Sequence, residues 1–553
     1  MEDVYAKKPW LKFYDPGVPA ALTYPKISMG QALKASCDKY PDRAAILHMG
    51  TAITYGQLDE LSNRFAQFLL KLGCKPGDVV GWHSPNFPAC LIAEVGIHKA
   101  GCVYSGVSPL FTPEELEYQL QDAAAKVLIT TDGTMPLVSK IAGNTGLKAV
   151  LVTAPTEYVR NAPAPTAELP NIPGVIVKRF QPALMEMPAD PVLIPVKPDD
   201  PCLMMYTGGT TGLPKGAVLT QSNVLANMTQ ANAWYQFQQG GEILLTAFPL
   251  FHSAGNTVGL LALFAGASYI VVVNPRDFQG LINDLKQYKP TYFGHVPTVF
   301  LELMKLQEFR SLDFSGVRYF MVGASPYPAE NIKDLESVIG ENMLMEGYGM
   351  TELTTFGFIN PYKGRKKIGS VGIPISDTEA KIVDPDTDEP MPVGEEGEII
   401  VKGPQMMKEY FNKPEETEHA KRGGWMHTGD LGKMDEDGYF YVVDRLKDMI
   451  SVSGLKVFSR VVDDVLAEHP AVAMGATIGV PDTSRPGSEI VACAVVLKPG
   501  NDKNDAMKED IIKYCRERLS PYKVPKIITF MDALPTSAVG KILKRELRKM
   551  ITA

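Results

Sequence analysis

Thr54-YGQLDELSNRFAQFLLKL-Gly73, followed by Val79-Val-Gly-Trp82, decides the fold. Thr54 with Gln57 three residues later is a helix-start pair, in which each side chain reaches the other's backbone N–H. Apolar residues recur at Leu58, Leu61, Phe65, Phe68, Leu69 and Leu72, one face of a helix, and Gly73 supplies the stop. The β-branched VVGW reads as a strand. The device repeats where Thr112, Pro113 and Glu115 open a second helix that runs through Leu116 and Leu120 to KVLITT. Helices alternating with short β-branched runs predict parallel-type sheets covered by helices, an α/β protein.

Further strands are expected at AVLVT (149–153), SYIVVV (268–273) and YFMV (319–322). From about 370 the texture changes. AKIVD, GEIIVKG and YFYVVD are short strands between Pro, Gly and Asp clusters, so a β-rich subdomain is expected there, with Asp437-Gly438 as a hairpin turn able to take positive φ. Beyond Arg445 strand, helix and strand return, ending in a basic tail with Lys541, Lys544, Arg545, Arg548 and Lys549.

At 553 residues the chain is too long for one ordinary core, and several structural units are expected. With 45% hydrophobic and 21% charged residues it is neither disordered nor fibrous. A formal charge of -8 argues against nucleic acid as partner, because binding phosphates in bulk calls for a basic surface. Seven cysteines, without a CxxC spacing, give neither a disulfide framework nor a zinc site and fit a reducing compartment. Met1 leads into Glu2, Asp3, Lys7 and Lys8, which is not a secretion signal. Ser253 to Pro275 carries no charge, but Gly259 and Gly266 interrupt it and β-branched residues fill its second half. A buried helix, turn and strand is expected in place of a membrane span.

The segment richest in chemistry is Tyr206-Thr-Gly-Gly-Thr-Thr-Gly-Leu-Pro-Lys-Gly216. Its glycines let backbone amides approach phosphate oxygens, its threonines add hydroxyls and Lys215 adds a mobile cation. It is not a Walker A loop, since Gly216 stands where that motif needs Ser or Thr.

This segment resembles the signature phosphate loop of the adenylate-forming superfamily, which includes acyl-CoA synthetases, luciferases and peptide-synthetase adenylation domains. PLFHSAG (249–255), EGYGMTE (346–352), HTGD (427–430), DRLKDMISVSG (444–454) and PTSAVGK (535–541) follow in the superfamily's order. TPEELEYQL, NPRDF, IGSVGIP and YKVPK are most similar to bacterial long-chain fatty-acid CoA ligases. The resemblance implies a large N-terminal domain, 1–446, whose β-rich part is about 370–446. It also implies a small, mobile α+β C-terminal lid domain, 447–553, turning on a hinge at Lys447.

The same resemblance assigns roles to residues. Thr207, Gly208, Gly209, Thr210, Thr211, Gly212, Lys215, Gly323, Ala324, Glu346, Gly347, Tyr348, Thr351, Asp430, Arg445 and Lys541 would hold ATP and AMP. Tyr348 would stack on the base, Thr351 would offer its hydroxyl to the α-phosphate, and Asp430 with Arg445 would meet the ribose. Glu352 would ligate Mg²⁺, as a hard oxygen donor beside a triphosphate. Lys541, Lys215, Thr351 and Glu352 would carry the chemistry, with Lys541 reaching both the reacting carboxylate and the α-phosphate. Ser453 and Gly454 would face the coenzyme A arm; His252, His295 and Val296 would wall the acyl pocket. One departure is Ser459-Arg460-Val461, where the superfamily commonly has proline and then an acid, so a changed helix start is expected.

The expected activity is ATP-dependent ligation of a medium- to long-chain fatty acid to coenzyme A through an acyl-AMP. An aryl-CoA ligase is the alternative, ahead of a non-catalytic nucleotide-binding regulator. A peptide-synthetase module is disfavoured because PLFHS lacks the acid an amino-acid pocket needs, and no carrier domain follows Lys541. A cytoplasmic protein, open to peripheral membrane contact and to homodimer formation, is expected.

Overall fold

The computed structural model describes residues 4–207, 213–325, 327–452, 455–482, 485, 488–537 and 541–552. An eight-stranded sheet runs in the order Glu409–Tyr410, Lys215–Thr220, Pro201–Thr207, Val103–Gly106, Val79–Trp82, Val127–Thr131, Ala149–Thr153 and Ile176–Arg179. The last six are parallel neighbours, and Lys215–Thr220 turns back antiparallel on Pro201–Thr207. A nine-stranded sheet has a parallel centre, with Leu344–Tyr348, Tyr319–Val322, Tyr292–His295, Ile243–Thr246 and Ser268–Val271 adjacent.

The two capped helices expected from the sequence both form. Thr54 and Gln57 cap Tyr55–Lys71 reciprocally, Thr112 and Glu115 do the same for Pro113–Asp122, and Gly73 takes φ 77° after the first of them. Pro88–Lys99 is buried at every position and packs against Met29–Lys39 and Tyr55–Lys71. Its Lys99 is fully buried, a severe desolvation unless every proton is used. The three ammonium protons are accordingly shared among Asp59 Oδ1 (2.6 Å), Asp59 O (3.0 Å), Ser62 Oγ (2.8 Å) and Asn63 Oδ1 (2.7 Å).

The apolar run after His252 folds as helix Ser253–Phe264 and strand Ser268–Val271, joined through Gly266 at φ 68°. Gly259 does not interrupt it, contrary to expectation. The helix continues through this residue, where a Cβ would come 3.1 Å from Leu250 and 3.2 Å from Leu91. The missing side chain serves close packing, not a break. Among the described residues no helix is long and apolar enough to cross a membrane.

Beyond 370 a four-stranded antiparallel sheet contains Glu379–Val383, Gly397–Lys402, Met426–Met434 and Phe440–Arg445. In its last hairpin only Gly438 of the Asp-Gly pair has positive φ, at 87°. The turn is held by Asp435 Oδ1, which accepts the N–H groups of Asp437 and Tyr439 at 3.0 Å each. A three-stranded sheet of Val472–Pro481, Glu489–Leu497 and Ile527–Phe530, with helices Ser459–Ala467 and Asp505–Arg516, forms a core of its own around Val462, Leu466, Val495 and Ile511.

Candidate active site

Parallel strands that end side by side bring their following residues to one edge of a sheet, the usual position of a ligand crevice in open α/β folds. Tyr292–His295, Tyr319–Val322 and Leu344–Tyr348 are parallel neighbours. Their ends deliver His295 with Val296, Gly323 with Ala324, and Glu346 through Tyr348. Ala324 sits at φ 67°, a left-handed backbone that a non-glycine residue seldom adopts. At Gly349 a Cβ would lie 1.4 Å from the Thr355 carbonyl oxygen, so only hydrogen fits there.

Thr207 and Lys215 face each other in register across their hairpin, and the chain between them is the phosphate-loop candidate. Gly208, Gly209, Thr210, Thr211 and Gly212 lie outside the described residues, as do Ser453 and Gly454. Lys215 Nζ stands 4.5 Å from the centre of the Tyr410 ring. That same tyrosine donates its hydroxyl to Glu352 Oε1 at 2.7 Å. Burial raises the Glu352 carboxyl above its usual range, opposed by Tyr410 and by the charge of Lys215. Thr351 is 8% exposed, with its hydroxyl 3.0 Å from Ser253 Oγ.

Asp430 is the hub of the second half. Its Oδ2 accepts the Tyr348 hydroxyl at 2.6 Å and its Oδ1 lies 3.0 Å from Arg445 Nε. Asp430 and Arg445 are paired across the antiparallel hairpin whose Asp437-Gly438 turn the sequence predicts. Burial pushes the Lys541 ammonium down to about 8, with Arg445 acting in the same direction and Asp430 against it. Lys541 therefore lies in the field of the ribose candidates. It is also felt by His252, which burial and then the Lys541 charge lower to about 4. His252 is neutral at pH 7 and caps helix Ser253–Phe264, its Nδ1 accepting the Ala254 N–H at 3.3 Å.

His295 is buried and neutral as well, lowered to about 3 by burial, with Nε2 accepting the Ala247 N–H at 3.2 Å. Phe248 and Phe300 flank its ring at 6.0 and 6.3 Å, and Val296 is buried beside it. Burial lifts Glu346 to about 8 while it accepts the Gly369 N–H at 2.9 Å. Lys447 stands in the short turn Leu446–Asp448 between the Asp430–Arg445 hairpin and the C-terminal strands. Tyr410 and Ser253 were not singled out in the sequence. Tyr410 enters only because Glu409–Tyr410 pairs with Lys215–Thr220, and no local pattern signals a pairing so distant along the chain.

Two family models match the chain, AMP-binding enzyme at residues 33–411 and AMP-binding enzyme C-terminal domain at 461–541, with Asp430, Arg445 and Lys447 between them. The chain belongs to the AMP-binding enzyme family. The long-chain-fatty-acid–CoA ligases of Escherichia coli O6:H1 and Bacillus subtilis strain 168 are 37% and 36% identical, each over 98% of both chains. Among solved structures, the anthranilate CoA ligase AuaEII in complex with anthranoyl-AMP superposes with a TM-score of 0.85 at 26% identity, covering 97% of this chain and 99% of that one. The chain is thus an adenylate-forming ligase that uses ATP and coenzyme A as substrates. The two matches lie on either side of the Leu446–Asp448 turn.

Proposed function

We propose that this AMP-binding enzyme joins a medium- to long-chain fatty acid to coenzyme A in two half-reactions at one site. In the first, a carboxylate oxygen attacks the α-phosphorus of ATP, acyl-AMP forms and pyrophosphate leaves. In the second, the coenzyme A sulfur attacks the acyl carbonyl, AMP leaves and the thiol proton is released. A carboxylate has no competent leaving group; the mixed anhydride has AMP.

The Asp430 carboxylate, which accepts the Tyr348 hydroxyl at 2.6 Å and lies 3.0 Å from Arg445 Nε with the Lys541 ammonium in its field, carries this reading. Two anions repel each other as they approach, and a partly buried ammonium between them would offset that repulsion and the charge developing in transfer. Thr207, Lys215, Thr351 and the Gly208–Gly212 loop would bind the phosphates. Gly323, Ala324, Glu346, Gly347 and Tyr348 would hold the base. Asp430, with Arg445, would accept the ribose hydroxyls. Ser453 and Gly454 would meet the coenzyme A arm, as the 447–553 segment turns on Lys447 after adenylation.

His252, His295 and Val296 would form the acyl wall. Both histidines are neutral at pH 7, so they present uncharged rings and do not compete with Lys541 for the carboxylate. A magnesium ion fits Glu352. This buried carboxylate accepts the Tyr410 hydroxyl at 2.7 Å and lies in the field of Lys215, and a hard cation that takes few protein ligands would suit it. When bound, the ion would neutralise triphosphate charge next to Lys215.

Pyrophosphate release with acetate, octanoate, palmitate and benzoate tests the reading. Octanoate and palmitate are expected to support turnover in the presence of ATP and coenzyme A. Preference for benzoate would assign the site to aryl acids, and no release with any acid would remove the enzymatic reading.

A further inference from the structure

Helix Ser459–Ala467 begins without a side-chain cap from Phe458, although its first N–H groups need acceptors. The acceptor comes from across the Leu446–Asp448 turn. Asp444 Oδ2 accepts the Ser459 backbone N–H and, at 2.8 Å, the Ser459 hydroxyl. Its other oxygen, Oδ1, accepts the Arg445 N–H at 2.7 Å. One buried carboxylate therefore joins the residue facing Asp430 to the first residue of the C-terminal helix.

Ser459 is engaged from the other side as well. Lys544 Nζ donates to its Oγ at 2.5 Å and lies 3.3 Å from Asp463 Oδ2. Lys544 follows Lys541 by three residues and opens helix Lys544–Thr552. Burial would lower its ammonium, but Asp463 and Asp444 outweigh that and hold it above the usual range. Arg460 adds a bond to the Val442 carbonyl, again across the turn. The serine that departs from the superfamily's proline is essential to this arrangement, since proline has neither an N–H nor a hydroxyl to offer.

We infer that Asp444, Ser459 and Lys544 form a latch that holds the Lys541 segment against the Asp430–Arg445 hairpin for the adenylation half-reaction, and that opens before thioester synthesis. The inference rests on the function proposed above. Lys544 and Ser459 are positioning residues, acting through Lys541. Asp444 and Ser459 lie on opposite sides of Lys447, so any large rotation there separates them and must break these bonds.

The test compares Ser459→Ala, Lys544→Met, their double variant and Lys544→Arg in the full chain. Two rates are measured with palmitate: acyl-AMP formation from acid and ATP, and coenzyme A-dependent consumption of supplied palmitoyl-AMP. Each single variant is expected to lose about tenfold in the first rate, the effect of removing a hydrogen bond to a charged group, while keeping the second within about twofold. The double variant should be no worse than about the weaker single, since both changes break one network. Lys544→Arg should recover part of the loss. Equal loss in both half-reactions, no loss in either, or independent multiplicative losses would overturn the latch. Wild-type protein that forms no acyl-AMP from any acid would instead bring down the proposed function itself.

Discussion

Arg445 Nε lies 3.0 Å from Asp430 Oδ1, and the two residues face each other as partners in one antiparallel hairpin. Asp430 also takes the Tyr348 hydroxyl at 2.6 Å, so a single carboxylate ties the proposed base platform to the proposed ribose contact. Asp430→Ala should lower kcat/KM for ATP by about 10- to 150-fold, the range for losing hydrogen bonds to a charged group. Tyr348→Phe, which keeps the ring and removes only the hydroxyl, should lose less than Asp430→Ala. Steady-state kinetics with varied ATP checks both. Equal losses would remove the carboxylate from the nucleotide site.

Glu352→Gln keeps the shape of the side chain and its bond from Tyr410 but removes the charge. The variant should need more Mg²⁺ for half-maximal pyrophosphate release and turn over more slowly. Glu352 is buried with Lys215 in its field, so Gln relieves a desolvation penalty, and thermal stability should hold or rise while activity falls. An unchanged Mg²⁺ dependence with near-normal turnover would take Glu352 out of the metal site.

Reaction pH offers a third check. A lysine with its pKa lowered to about 8 is protonated below that pH and loses its charge above it. If the ammonium is required, kcat/KM for adenylation should fall as pH rises through about 8 in the free enzyme. Glu346, raised to about 8, titrates over the same range. Lys541→Arg separates the two, because arginine stays charged: the falling limb should move to higher pH if Lys541 causes it and stay in position if Glu346 does.

Local chemistry made much of the fold readable. Thr54 with Gln57 and Thr112 with Glu115 complete their bonds within four residues, so sequence alone specifies them. Gly259 misled because an isolated glycine in a run of large apolar residues suits a break and a close contact equally, and the neighbours that decide, Leu91 and Leu250, come from elsewhere. The site followed the same division. Asp430 and Arg445 could be paired in advance by the hairpin between them. Tyr410 beneath Glu352 and Lys215, and Asp444 at the start of the Ser459 helix, owe their roles to bonds between separate segments.

Lys447→Pro should hold the C-terminal segment in one orientation, since proline fixes φ where a rotation would need to change it. Adenylation should persist and acyl-CoA formation should fall. If Lys447 is merely a cation in a turn, both half-reactions should proceed at wild-type rates, and measuring acyl-AMP and acyl-CoA separately distinguishes the two.

The most direct test of the central claim is the effect of Lys541→Ala on the two half-reactions, each measured alone. Acyl-AMP formation from palmitate and ATP should fall by about 100-fold or more, the scale for losing one preorganised charge at a transition state. Consumption of supplied palmitoyl-AMP by coenzyme A should remain near the wild-type rate, because the repulsion that Lys541 offsets is gone once the anhydride has formed. An equal loss in both half-reactions, or unimpaired acyl-AMP formation, would contradict the account.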